Sequence, residues 1–140
     1  MPTTPYIHFQ GQCAEALAFY AQVFGGTNLQ TMRYADGPES PPAWKHSTRT
    51  MHGQVTLNDG TLMASDYPPG VDGDAQKGFS VMQTAPDVPS ARLVFDQLAS
   101  GGTVSDGFKP TFFSPGFGMV RVKFGTHWII SALPADGVQT

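Results

Sequence analysis

The sequence predicts an α+β fold of two βαβββ modules, forming a curved mixed sheet around a cavity. Three observations predict it. Residues Gly118–Ser131 read as two strands joined by a tight turn at Gly125, and Gln54–Asp66 is a shorter hairpin of the same kind, turning at Asn58-Asp59-Gly60. Two helix-like stripes each run into a Gly-Gly pair, Gly25-Gly26 and Gly101-Gly102. The elements follow one another in the same order twice, which is weak internal symmetry of a duplicated unit.

Taken in order, Pro5–Phe9 is the first strand. A helix follows from Cys13, with small or apolar residues at Cys13, Ala16, Leu17, Tyr20, Val23 and Phe24, the spacing of one buried face. A glycine after the stripe suits the left-handed cap that ends a helix. Asn28–Tyr34 is the next strand. Residues 35–49 hold Gly37, Pro38, Pro41 and Pro42 and read as a loop, because each proline removes a backbone donor. His52–Leu57 and Thr61–Ser65 make the first hairpin, since asparagine tolerates positive φ and glycine accepts it. Residues 67–78, rich in Gly, Pro and Asp, read as the linker.

The second half begins with a strand over Phe79–Thr84. Its helix starts near Pro89, a residue suited to a first helical position, with Ala91, Val94, Phe95 and Leu98 as its stripe. Phe19 and Phe95 stand at the same offset before the two Gly-Gly pairs. Thr103–Asp106 is a short strand, 109–118 a Phe- and Gly-rich loop. In the closing hairpin Val120 and Val122 alternate with Arg121 and Lys123. The expected organisation is one domain over 1–140, with module one at about 5–66, the linker at 67–78 and module two at about 79–133. The extra length of the first half falls in the Pro-rich loop.

A chain of 140 residues suits one shared core. A charged fraction of 14% argues against a disordered polyelectrolyte, and a net charge of -3 gives no basic face for nucleic acid. No apolar run is long enough for a membrane span. The first residues lack the basic and apolar regions of a signal peptide. The single cysteine, Cys13, excludes an internal disulfide. A cytoplasmic protein is expected, with neither nucleic acid nor membrane as partner.

The ordered set Pro5-Tyr6-Ile7-His8-Phe9, Ala14-Glu15-Ala16-Leu17-Ala18-Phe19-Tyr20, His52-Gly53-Gln54-Val55, Leu62-Met63-Ala64-Ser65-Asp66 and Lys123-Phe124-Gly125-Thr126-His127-Trp128-Ile129-Ile130 resembles the PhnB-like branch of the vicinal oxygen chelate superfamily, grouped with glyoxalase and bleomycin-resistance proteins. It spans nearly the whole chain. Departures are Val122 where such chains usually have Asp, Phe113 where Trp is frequent, and Thr126-His127 in place of Val-Pro. The resemblance implies a homodimer and a ligand in the sheet cavity.

Metal-using members of that superfamily present His or Glu from four inner strand positions. By landmark alignment these fall at Pro5, Ala64, about Ser80 and Ile129, none of which is a suitable ligand for a divalent ion. No metal and no cofactor is therefore assigned. The histidines His8, His46, His52 and His127 show no paired metal-binding spacing. The candidate ligand-binding set is Phe9, His52, Ala64, Asp66, Phe113, His127 and Ile129; catalytic residues stay unassigned. His52 reads either as a pocket acid or base, or as a histidine tying the sheet to the Pro-rich loop. Asp66 reads as a cavity carboxylate or a turn cap, and His127 as a residue of the cavity mouth or a solvated edge.

Cys13 opens a helix, yet no partner for a nucleophile is visible and a small buried residue is the plainer reading. Phe108, Phe112, Phe113 and Phe117 could wall a pocket or bury a dimer contact. Lys45, His46 and Arg49 could receive an anion or form a solvated loop. Some PhnB-like relatives carry a demethylubiquinone methyltransferase label. The sole G-x-G, Gly116-Phe117-Gly118, precedes a strand and gives no S-adenosylmethionine turn. The function expected is metal-independent binding of a small molecule. The alternatives are a glyoxalase- or dioxygenase-like metalloenzyme with a non-standard site around His52, and an interaction module with no ligand.

Overall fold

A computed structural model describes residues 1–135. The chain divides into two compact units, Met1–Asp74 and Ala75–Thr140. The first contains β1 (Tyr6–Phe9), α1 (Cys13–Phe24), β2 (Thr27–Arg33), β3 (Thr50–Leu57) and β4 (Gly60–Asp66). The second contains β5 (Val81–Ala85), α2 (Val88–Ala99), β6 (Thr103–Lys109), β7 (Phe117–Arg121) and β8 (His127–Ala132). Each unit carries one four-stranded mixed sheet, ordered β1-β4-β3-β2 in the first and β5-β8-β7-β6 in the second. In both, the outer pair is parallel (β1 with β4, β5 with β8) and the rest antiparallel. This is the α+β, twice-repeated βαβββ arrangement that the sequence predicts.

Each helix covers one face of its own sheet. The stripe Cys13, Ala16, Leu17 and Tyr20 is buried, together with Ile7, Phe9, Val55, Leu57, Leu62 and Ala64 from the strands. In the second unit Ala91, Phe95 and Leu98 pack in a core that contains Val120, Trp128 and Ile130. A glycine lets each helix approach closely. A Cβ at Gly53 would lie 2.6 Å from Leu17 Cδ1, and one at Gly118 would lie 2.5 Å from Phe95 Cε1. Leu17 and Phe95 thus occupy the same place over the third strand of their units. Phe19 and Phe95 share their offset but not their burial: Phe19 is half-buried and Phe95 buried. The two helix ends also differ: Gly25 itself is the left-handed cap of α1 (φ 66), whereas Ser100 follows α2 and Gly101 (φ 75) comes one residue later.

The element ends shift by a few residues. β2 stops at Arg33 because Tyr34 turns into a short 3-10 segment and donates its hydroxyl to the Asp66 carbonyl at 2.8 Å. β3 starts at Thr50 rather than His52, with the Thr50 amide donating to Asp66 Oδ2 at 2.8 Å. The second helix begins at Val88, capped by Asp87, whose carboxylate accepts from the Ser90 amide at 2.8 Å. β6 runs on to Lys109 with shifts in its pairing, and β7 begins at Phe117, inside the expected loop. The Asn58 turn is as expected, with φ 56 at Asn58 and Leu57 paired to Gly60.

Candidate functional site

The face of each sheet turned away from its helix is the part left to meet a ligand. On the first unit the β1–β4 register pairs Tyr6 with Met63 and His8 with Ser65, while Ile7 and Ala64 pair on the helix side. Successive strand residues point to opposite faces, so Tyr6, His8, His52, Gln54, Met63 and Ser65 share the open face. Its rings form a row. The centroid of Tyr6 lies 5.7 Å from that of His52 and 5.3 Å from that of His8, and His8 stacks on Tyr67 at 5.5 Å. Tyr6 Oη is 3.0 Å from His52 Nδ1, His52 Nε2 is 3.4 Å from Gln54 Oε1, and Ser65 Oγ is 3.3 Å from His8 Nδ1.

On the second unit His127 sits between two serines. Its Nδ1 is 2.7 Å from Ser80 Oγ and its Nε2 2.8 Å from Ser105 Oγ. Trp128 and Ile130 are buried towards α2, so His127, Ile129 and Ser131 take the other face. Beside them is a recess of ≈ 160 Å³, lined by Met82, Thr84, Phe113, Ser131, Ala132, Leu133 and Pro134. Phe113 is 46% exposed and meets Phe112 and Phe117 edge-on, with ring centroids 5.1 and 5.0 Å away. Phe108 has a different fate and packs on Phe95 at 5.6 Å.

His52 lies on the open face of the first unit; Phe113, His127 and Ile129 lie around the open face of the second. Phe9, Ala64 and Asp66 are instead buried on the helix side, at 2%, 0% and 1% exposure. Ala64 and Ile129 therefore do not occupy matching faces, since a one-residue difference in register reverses every side chain. Asp66 is fully engaged: Oδ1 accepts from the amides of Gly11 (2.7 Å) and Cys13 (3.0 Å), and Oδ2 from that of Thr50. Sequence reasoning missed Tyr6, His8, Gln54, Ser65 and Tyr67 on the first unit, and Met82, Thr84, Ser105 and Ser131 on the second. The alternation Tyr6-Ile7-His8-Phe9 was the available signal for the first two.

The donors do not fit the metal site of the metal-using relatives. Among the described residues no group of three or more His, Cys, Asp or Glu is placed to hold an ion. The hydrogen-bond partners of His52 are a phenol and an amide, and those of His127 are two alcohols; all are neutral groups, poor substitutes for carboxylate or thiolate. Burial, and then the Asp66 carboxylate, push the Cys13 thiol up to about 12, which keeps it protonated at neutral pH. Arg49 is occupied as well, its Nη1 donating to the carbonyls of Tyr67, Pro68 and Val71 at 3.1, 3.2 and 3.0 Å. No helix among the described residues is long and apolar enough to cross a membrane.

The repeated unit defines a vicinal oxygen chelate fold; solved glyoxalase/bleomycin resistance/dioxygenase proteins at 14% and 10% identity share it. The chain belongs to the PhnB-like family: the family model described as 3-demethylubiquinone-9 3-methyltransferase matches residues 2–131. Protein YjdN of Escherichia coli K12 is 30% identical, over 99% of this chain and 100% of its own. The crystal structure of PA1353 from Pseudomonas aeruginosa is 33% identical with a TM-score of 0.85, covering 94% of this chain and 97% of that one. A PhnB protein from Bacillus cereus, at 22% identity and a TM-score of 0.74 over 94% and 99% of the two chains, shares the fold.

Proposed function

We propose that the chain binds a small molecule on the open faces of its sheets, without the metal of its metal-using relatives. The observation that supports this is the recess beside Phe113. An apolar floor of Met82 and Phe113 is interrupted there by the hydroxyl-bearing Thr84 and Ser131, the mixture by which a pocket buries a ligand and orients it. The reading takes 1–140 as one domain of two modules, acting in the cytoplasm as a homodimer, as superfamily members often do.

The test uses anilinonaphthalene sulfonate as probe. Wild-type protein is expected to enhance its fluorescence saturably, and Phe113→Ala to weaken binding about tenfold, equivalent to about 1.4 kcal/mol. Equal binding by the two proteins, or no saturable binding by either, would overturn the reading. Sedimentation of the same samples tests the homodimer.

A further inference from the structure

We propose that Ser80 and His127 on the second unit form a nucleophile and general-base pair that takes an acyl group from an activated carboxylic ester, with Ser105 positioning the ring. Both imidazole nitrogens meet an alcohol: Nδ1 lies 2.7 Å from Ser80 Oγ and Nε2 2.8 Å from Ser105 Oγ. A neutral imidazole has one N–H and one lone pair, and a hydroxyl can donate or accept, so the two serines satisfy either tautomer. Attack draws on the tautomer with its lone pair at Nδ1, which Ser105 accommodates by accepting from Nε2.

Ser80, rather than Ser105, is assigned the attack by its surroundings. It stands one residue before β5, opposite His127 when the parallel register that pairs Val81 with Trp128 and Met82 with Ile129 is continued. Met82, 56% exposed, therefore follows it on the open face and offers an apolar surface to an acyl group. Ser105 instead neighbours the Asp106–Lys109 ion pair. The run leading to Ser80 is fastened at Gln76. Its Oε1 accepts from the Thr126 hydroxyl at 2.7 Å, and its carbonyl from Arg121 Nη1 at 3.3 Å.

The step balances. Ser80 Oγ bonds to the ester carbonyl carbon as its proton passes to His127 Nδ1. The bond from that carbon to the leaving oxygen then breaks, and the leaving group takes the proton from Nδ1. Water, deprotonated by the same nitrogen, frees the acid and restores Ser80. Nothing is oxidised or reduced. An alcohol stands behind the ring where a carboxylate would stabilise the imidazolium. The ring is thus a modest base. That suits aryl esters, whose phenolic leaving groups depart readily, and not amides or alkyl esters.

The experiment treats the intact chain with 4-nitrophenyl acetate, follows 4-nitrophenol release above the buffer rate, and locates the acetyl group by mass spectrometry. The acetyl group is expected on Ser80. His127→Gln should slow that acetylation about a hundredfold, and Ser80→Ala should remove it. The wild-type rate should rise with pH and level off once the ring is neutral. The charged groups facing the ring are Arg121, its register partner on β7, and the Asp106–Lys109 pair on β6. Ser105→Ala should slow the step and Ser105→Thr restore it; both serines are exposed, so their variants keep the fold even where His127→Gln does not. Met82 also lines the recess beside Phe113, but acetylation and dye binding are read separately and either can fail alone. Acetyl found only on other residues, an undiminished rate in His127→Gln or Ser105→Ala, or a rate indifferent to pH would overturn the proposal.

Discussion

The carboxylate of Asp66, on the last residue of β4, takes the amide of Cys13 at the first residue of α1 at a distance of 3.0 Å. No side chain of the preceding residue, Gln12, caps that helix. The first amide of the helix, that of Cys13, is served by a carboxylate that also holds Gly11 and Thr50. One buried side chain thus joins the loop after β1, the start of α1 and the start of β3.

Asp66→Ala should lower unfolding stability by about 3 kcal/mol or more, because three amides lose a charged acceptor together. Asp66→Asn should cost less, keeping one oxygen for Gly11 and Cys13 while turning an amine towards the Thr50 amide. Urea unfolding of the three proteins measures the order, wild type above Asn above Ala.

The close approach of each helix to a strand glycine predicts a paired effect. Gly53→Ala places a methyl where Leu17 already lies and should cost about 1–3 kcal/mol. Adding Leu17→Ala to it should cost less than the two single changes summed, because the methyl then partly fills the space that truncation opens. A double-mutant cycle in urea reads the coupling. Simple additivity would show that the two residues do not compete for one volume.

Asp87 carries a pH prediction. The Ser90 amide holds its carboxyl pKa below the usual value in the folded chain. A depressed folded pKa contributes stability that is present above the unfolded pKa, about 3.9, and is lost as pH falls through the folded value. Asp87→Ala should therefore lower the thermal midpoint at neutral pH and flatten its acid dependence below about pH 4. An unchanged acid slope would count against the cap.

Cys13 carries the opposite sign. Its folded pKa is raised to about 12 from 9.0, so its contribution is full below 9.0 and fades as pH rises towards 12. Cys13→Ala should soften the alkaline loss of stability. Native protein should react with a thiol reagent only as fast as it opens, so labelling should accelerate with urea.

Much of this architecture was legible because it rests on periodicity. Cys13, Ala16, Leu17 and Tyr20 recur at helical spacing, and Asn58 marks its turn by tolerating positive φ. The open faces were harder. Strand alternation says that Ile7 and Phe9 oppose Tyr6 and His8, but not which pair the helix will cover. Landmark alignment placed Ala64 on the ligand side, and its register with Ile7 and Gly53 turns it under α1. That Asp66 caps backbone amides was one of its two readings; which amides was illegible, because Gly11, Cys13 and Thr50 are distant in sequence and backbone amides carry no residue signature.

Arg49 bears on where the chain could be divided. Its guanidinium reaches the carbonyls of Tyr67, Pro68 and Val71, all beyond the last strand of the first sheet yet within Met1–Asp74. A fragment cut at the end of β4 would strip that cation of all three acceptors, while one cut after Asp74 would retain them. The reach of this arginine thus carries the first unit past the end of its hydrogen-bonded strands.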